Sequence, residues 1–155
     1  RQEESCAYTA VGLYIWQKRS QRWKTTFIVA PIILGGLASS QIITDMPWEW
    51  TSYAAAGLAL LAGFFPAIYE ALGMDMRVRE IGTSATEFTN LRDRFRQMAA
   101  IHAHSSFDEF KAAFEQLMDR MDAARSASPP LPEWCFKEAQ KKLDGGDYDF
   151  AVDEP

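Results

Sequence analysis

The chain has 155 residues, of which 48% are hydrophobic and 24% charged, with a net charge of −5. These are the averages of an ordinary globular protein. The charges are unevenly spread, however: residues 25–44 and 50–69 contain none, which excludes intrinsic disorder and argues against a conventional soluble enzyme fold. The 24, five and 86 residues around them are too few for a separate Rossmann or barrel domain.

Residues 1–24 carry a charge of +3. Within them AYTAVGLYIWQKRSQRW reads as a juxtamembrane helix running into the first uncharged stretch. That stretch, TTFIVAPIILGGLASSQIIT (25–44), is about 30 Å long as a helix and matches the hydrocarbon core of a bilayer. A buried core helix is the alternative, but 155 residues cannot supply the soluble shell it needs. A cleaved signal peptide, with Ala38 and Ser40 as the small-residue site, would require a 24-residue n-region, far longer than usual. The connector DMPWE (45–49) has charge −2 and no Lys or Arg. WTSYAAAGLALLAGFFPAIY (50–69) is a second span of the same length.

Trp16 and Trp23 precede the first span, Trp48, Trp50 and Tyr53 cluster at the connector, and Tyr69 closes the second. Aromatic rings at such places form an interfacial belt. Lys18, Arg19, Arg22 and Lys24 flank the start of the hairpin, and Arg77 and Arg79 its end. The positive-inside bias therefore predicts that both termini are cytoplasmic. Pro31 and Pro66 each remove one helical hydrogen bond and predict a kink. Ala55, Ala59, Gly63 and Ala67 form a small-residue face on the second span, as Gly36, Ser40 and Thr44 do on the first. Such faces pack either the two spans of one hairpin or neighbouring protomers around a pore. In the second case Ser39, Ser40, Gln41 and Thr44 turn to water, and Glu70 is a candidate for the pore mouth. A plain interfacial carboxylate is the alternative for Glu70.

Beyond Gly73 the pattern changes to heptads. Ile81, Phe88 and Phe95 are seven apart, with Leu91 and Met98 in the second seam position. Arg92, Arg94 and Arg96 read as a solvated face. Ser106 and Glu109 have capping-box spacing and predict a new helix start. Phe107, Phe110, Phe114, Leu117 and Met121 then step at helical spacing, and the two helices are expected to form an antiparallel hairpin through a turn near residues 102–105. SASPPLP (126–132) is a stiff break. A short helix from about Glu133 to Leu143 follows, then an acidic tail. The expected fold is an all-α membrane protein, divided into a juxtamembrane helix (1–24), a transmembrane hairpin (25–72) and a cytoplasmic helical domain (73–155). The chain opens on Arg1, so further residues are expected ahead of it.

No catalytic, cofactor or metal site is legible. His102 and His104 are two apart and point to different faces of a helix. HExxH, GxSxG, GxxxxGK[ST] and GxGxxG are missing. DGGDYD lacks the spacing and terminal Glu of a calcium loop. Cys6 and Cys135 have neither a CxxC pattern nor close spacing. Cys135, between Trp134 and Phe136, reads as a packing residue. No basic stripe for nucleic acid stands apart from the span flanks, so direct nucleic-acid binding is not expected.

YIWQKRSQRWK (14–24) before a two-span hairpin, a long helix with EFTNLRDRF (87–95), a second helix, a proline break and a closing PxWxxxEAQKKLDGGDYD (132–149) together resemble the SLATT family. These are two-transmembrane effector modules associated with SMODS nucleotidyltransferases and SLOG sensor domains. The resemblance implies a bacterial anti-phage effector, not an enzyme. It would oligomerise in the inner membrane and perforate or depolarise it when an upstream sensor protein or nucleotide second messenger is triggered. No binding residue carries over from it. The alternative is a non-conducting membrane adaptor whose cytoplasmic helices dock a soluble partner.

Overall fold

The computed structural model describes residues 1–38, 50–101 and 106–146. Among them the chain is all-helical: α1 (Gln2–Ala38), α2 (Trp50–Ala71), α3 (Met74–Ile101), α4 (Phe107–Ala127) and α5 (Glu133–Asp144), with no strand. α1 runs unbroken for 37 residues across the change from polar to uncharged sequence, with Pro31 inside it. Thr25 and Thr26 donate their hydroxyls to the carbonyls of Gln21 and Arg22 at 3.0 Å, so neither needs an outside partner where the sequence turns apolar. α2 ends because Gly73 adopts φ +57°, a left-handed conformation that a side chain would strain. Its amide donates to the Glu70 carbonyl at 3.0 Å, and α3 starts at the next residue.

Among the described residues no single helix is long and apolar enough to cross a membrane; one bent pair, Ala56–Ala71 with Met74–Ala100, reaches that length and composition jointly. The described part of the first uncharged stretch, residues 25–38, measures about 21 Å as helix, and Ala56–Ala71 about 24 Å. The connector 45–49, the turn at 102–105, and Ser39, Ser40, Gln41, Thr44 and Trp48 lie outside the described residues.

The chain divides into two compact units, one of Arg1–Lys18 with Arg79–Pro155, the other of Arg19–Val78. The sequence reading sets residues 1–24 apart as a juxtamembrane helix, whereas residues 1–18 belong to the first unit. Cys6, Ala10 and Leu13, at i, i+4 and i+7, present one helical face to its core. α3 contributes Ile81, Ala85, Phe88, Leu91, Phe95 and Met98, and α4 contributes Leu117 and Met121, all buried. The Phe95 and Phe114 rings meet edge-on at 6.2 Å, and Phe110 stacks on Phe114 at 6.1 Å. Phe95 pairs with Phe114 while Glu87 pairs with Arg120; the two numberings run in opposite senses, so α3 and α4 are antiparallel. Buried Cys135 and Ala139 anchor α5, whose Phe136 ring lies 6.3 Å from that of Tyr8.

Three expectations for this unit need correction. Phe107 is 77% exposed, because side chains lean toward a helix's N-terminus and the first residue of α4 leans off its end, past the layer holding Phe110 and Phe114. Ser106 is the N-cap by backbone geometry but makes no side-chain capping bond, so the capping box is not formed; Ser106 is exposed, which leaves the first-turn amides to water. Trp16, expected as an interfacial ring, is partly buried against the helical core.

Candidate functional site

In the unit Arg19–Val78, α1 and α2 meet through aromatic rings. Phe27 lies 6.5 Å from Trp23 on its own helix and 5.7 Å from Phe65 on α2. Lys24 forms an ion pair with Asp75, whose Oδ1 also accepts the Tyr69 hydroxyl at 2.5 Å. One carboxylate at the start of α3 thus ties down both hydrophobic helices. Between them a cleft of about 630 Å³ has Pro31 and Pro66 in its walls and Glu70 at its edge. Neither proline can donate to the carbonyl four residues back, so both helices are weakened at the same cleft.

The small-residue face of α2 does not take part in this contact. Ala59, Gly63 and Ala67 are exposed, and a Cβ built on Gly63 meets no atom within 4 Å. Phe65 lies two residues from Gly63, about 200° around the helix, so the ring that meets α1 and the small face point in opposite directions. A Cβ on Gly36 likewise meets nothing within 4 Å. The side chain of Ala55 lies outside the described set. Glu70 is exposed at the end of α2.

The uncharged parts of α1 and α2 expose large apolar side chains. Ile32 (69%), Ile33 (56%), Leu60 (65%), Phe64 (61%) and Ile68 (46%) are exposed, with Ile28, Val29, Leu37 and Leu61 beside them in sequence and also exposed. Soluble monomers rarely display contiguous apolar surface on this scale.

The first unit encloses the helical core. Among the described residues no buried side-chain nitrogen or oxygen lacks a hydrogen-bond partner, and no group of three His, Cys, Asp or Glu converges as metal ligands. Cys6 and Cys135 are both buried and form no disulfide. Cys6 Sγ contacts Met121 Sδ at 3.9 Å. Burial pushes its thiol pKa up against the opposing charge of Arg125, which keeps it protonated and unreactive. Glu87 accepts from Arg120 Nε at 2.6 Å and Nη2 at 3.0 Å, and this fork holds the Glu87 carboxyl below its ordinary value. The Tyr8 hydroxyl donates to Asp144 at 3.0 Å, which raises its pKa.

Two features escape the sequence reading. The Lys24–Asp75–Tyr69 cluster joins three separate segments and has no local motif. The second is the close seat of Leu131 on Gly12, where an added Cβ would fall 2.7 Å from Leu131 Cδ2; a lone glycine in a helical run was its sole signal. No family model matches the chain, and neither a curated protein nor a solved structure is found to match it.

Proposed function

We propose that this chain is a membrane-inserted, non-catalytic effector of the kind the SLATT resemblance implies, in which α1 and α2 enter the bacterial inner membrane and protomers assemble to perforate or depolarise it. The observation that carries this reading is the sheath of exposed Ile, Leu and Phe on the 19–78 unit, which a bilayer would cover. Fully burying a single Leu or Ile stabilises by about 1.5–3 kcal/mol, so a bilayer that covers these half-exposed side chains gains a contribution from each of them. The flanking Lys18, Arg19, Arg22, Lys24, Arg77 and Arg79, against none in the connector, favour cytoplasmic termini. The outward small-residue face of α2 favours contacts between copies over contacts within one hairpin. In this reading the trigger reaches the helical unit from an upstream sensor or a nucleotide second messenger.

The test is to express the full chain in bacteria and follow two quantities together, its membrane-fraction abundance and the uptake of a membrane-potential dye. The expected result is an integral membrane protein that resists carbonate extraction and depolarises cells once triggered. A Trp48→Cys variant should be labelled by an impermeant thiol reagent from outside intact spheroplasts. Recovery in the soluble fraction would overturn membrane insertion, and stable insertion without depolarisation would favour the adaptor.

A further inference from the structure

One carboxylate oxygen serves two helices at once. Asp75 is the second residue of α3, and its Oδ1 both pairs with the Lys24 ammonium of α1 and accepts the Tyr69 hydroxyl of α2. Only Leu72 and Gly73 separate α2 from α3, and Gly73 makes the turn with φ +57°. All three groups belong to the Arg19–Val78 unit.

The cluster lies beside the weakest part of the hairpin. Tyr69 and Asp75 line the cleft between α1 and α2, together with Pro31 and Pro66. Each proline deletes a helical hydrogen bond and makes bending cheaper at that level. The cluster and the Phe27–Phe65 rings bridge the two helices there. Lys24 and Asp75 are both partly exposed, and in open water such a pair contributes little. At the surface of a bilayer, where the surroundings are less polar, the same pair is stronger.

We propose that the Lys24–Asp75–Tyr69 cluster is a lock that holds the hairpin closed at rest, so that the assembled chain conducts only once it opens. The proposal rests on the reading of α1 and α2 as a membrane-inserted, conducting hairpin. Opening separates the Asp75 carboxylate from Lys24 and lets α1 and α2 part at the proline-weakened cleft. The same two helices that carry the ion pair carry Leu13 and Ile81 of the helical core. A turn of α1 or α3 in that core therefore moves one partner of the pair along an unbroken helix.

The experiment expresses the full chain in uninfected bacteria at a low and a high level, and reads membrane-potential dye uptake against membrane-fraction abundance. The parent should be quiet at the low level and should depolarise at the high level, where mass action favours the assembly. Lys24→Gln and Asp75→Asn should each raise dye uptake severalfold at the low level with abundance unchanged, and Tyr69→Phe should raise it less. Arg22→Gln removes the same charge from the same flank but no part of the cluster, and should change nothing. In detergent the melting shifts of Lys24→Gln and Asp75→Asn should fail to add, since either alone breaks the pair. Additive shifts would overturn the lock. So would depolarisation by Asp75→Asn without Lys24→Gln, which would reduce Asp75 to a charge at a helix end. Variants as quiet as the parent, while the high-level parent depolarises, would overturn the lock alone. A high-level parent as quiet as all its variants would overturn the conducting hairpin, and the lock with it.

Discussion

Leu13 and Tyr14 are neighbours in sequence and opposites in environment. Leu13 has no exposed surface, while Tyr14 is 41% exposed, because successive helical residues point about 100° apart. Leu13 sits in the same cluster as Ile81 and Leu91, so truncating it leaves a cavity among side chains that cannot all collapse into it. Leu13→Ala should therefore cost about 2–5 kcal/mol, whereas Tyr14→Ala should stay within about 0.5 kcal/mol. Thermal unfolding of the two variants, followed by circular dichroism in one detergent, makes the comparison. Equal melting temperatures would mean that the start of α1 is not part of the helical core.

At the scale of the element, α3 and α4 are joined by a greasy seam and by one bidentate ion pair at its flank. Glu87 has its pKa lowered by Arg120, so the folded state holds the proton less tightly than the unfolded chain. The pair's contribution is present above the ordinary carboxylate value of 4.5 and is lost as pH falls through the lower folded value. Both side chains are about a third or more exposed, so solvent screening limits the contribution to about 1 kcal/mol or less. Glu87→Gln should melt slightly lower than the parent near neutral pH, and the gap should close as the pH falls below the lowered folded value. A gap that stays constant with pH would show that the carboxylate's charge is not what matters there.

The same two helices show what periodicity can and cannot reveal. Ile81, Phe88, Leu91 and Phe95 announce a buried face because large apolar residues recur at three- and four-residue steps with charges between them. The facing surface of α1 is equally periodic, but Cys6 and Ala10 are small and weakly apolar, so Cys6, Ala10 and Leu13 vanish within a run that also holds exposed Tyr14. Phe107 fits the spacing of its helix, yet spacing does not say where the bundle ends. On α2 the small face at Ala59, Gly63 and Ala67 is plain from sequence. Which side turns to α1 is not, because it is decided by the Phe27–Phe65 contact between residues 38 apart. Arg94 reads as one of three alternating arginines; that it makes no ion pair among the described residues emerges only when Arg92 and Arg120 find theirs.

For the whole molecule, the decisive question is whether copies meet at Gly63. Glycine at the centre of a small-residue face lets two helix backbones approach closely, and an isobutyl group would hold them apart. Since a Cβ at Gly63 meets nothing within 4 Å in the single chain, Gly63→Leu should not disturb the contact between α1 and α2. Insertion should also survive, because Leu is at least as favourable as Gly in hydrocarbon. If the chain acts as proposed, the expected outcome is a variant present in membranes at parental abundance that no longer assembles or depolarises, measured by crosslinking and dye uptake on the same cells. A degraded variant would instead place Gly63 against its own hairpin, contrary to the open space around it. Full abundance with full depolarisation would remove the Ala59–Gly63–Ala67 face from the assembly altogether, and the conducting wall would then have to come from the polar residues Ser39, Ser40, Gln41 and Thr44 of the first uncharged stretch.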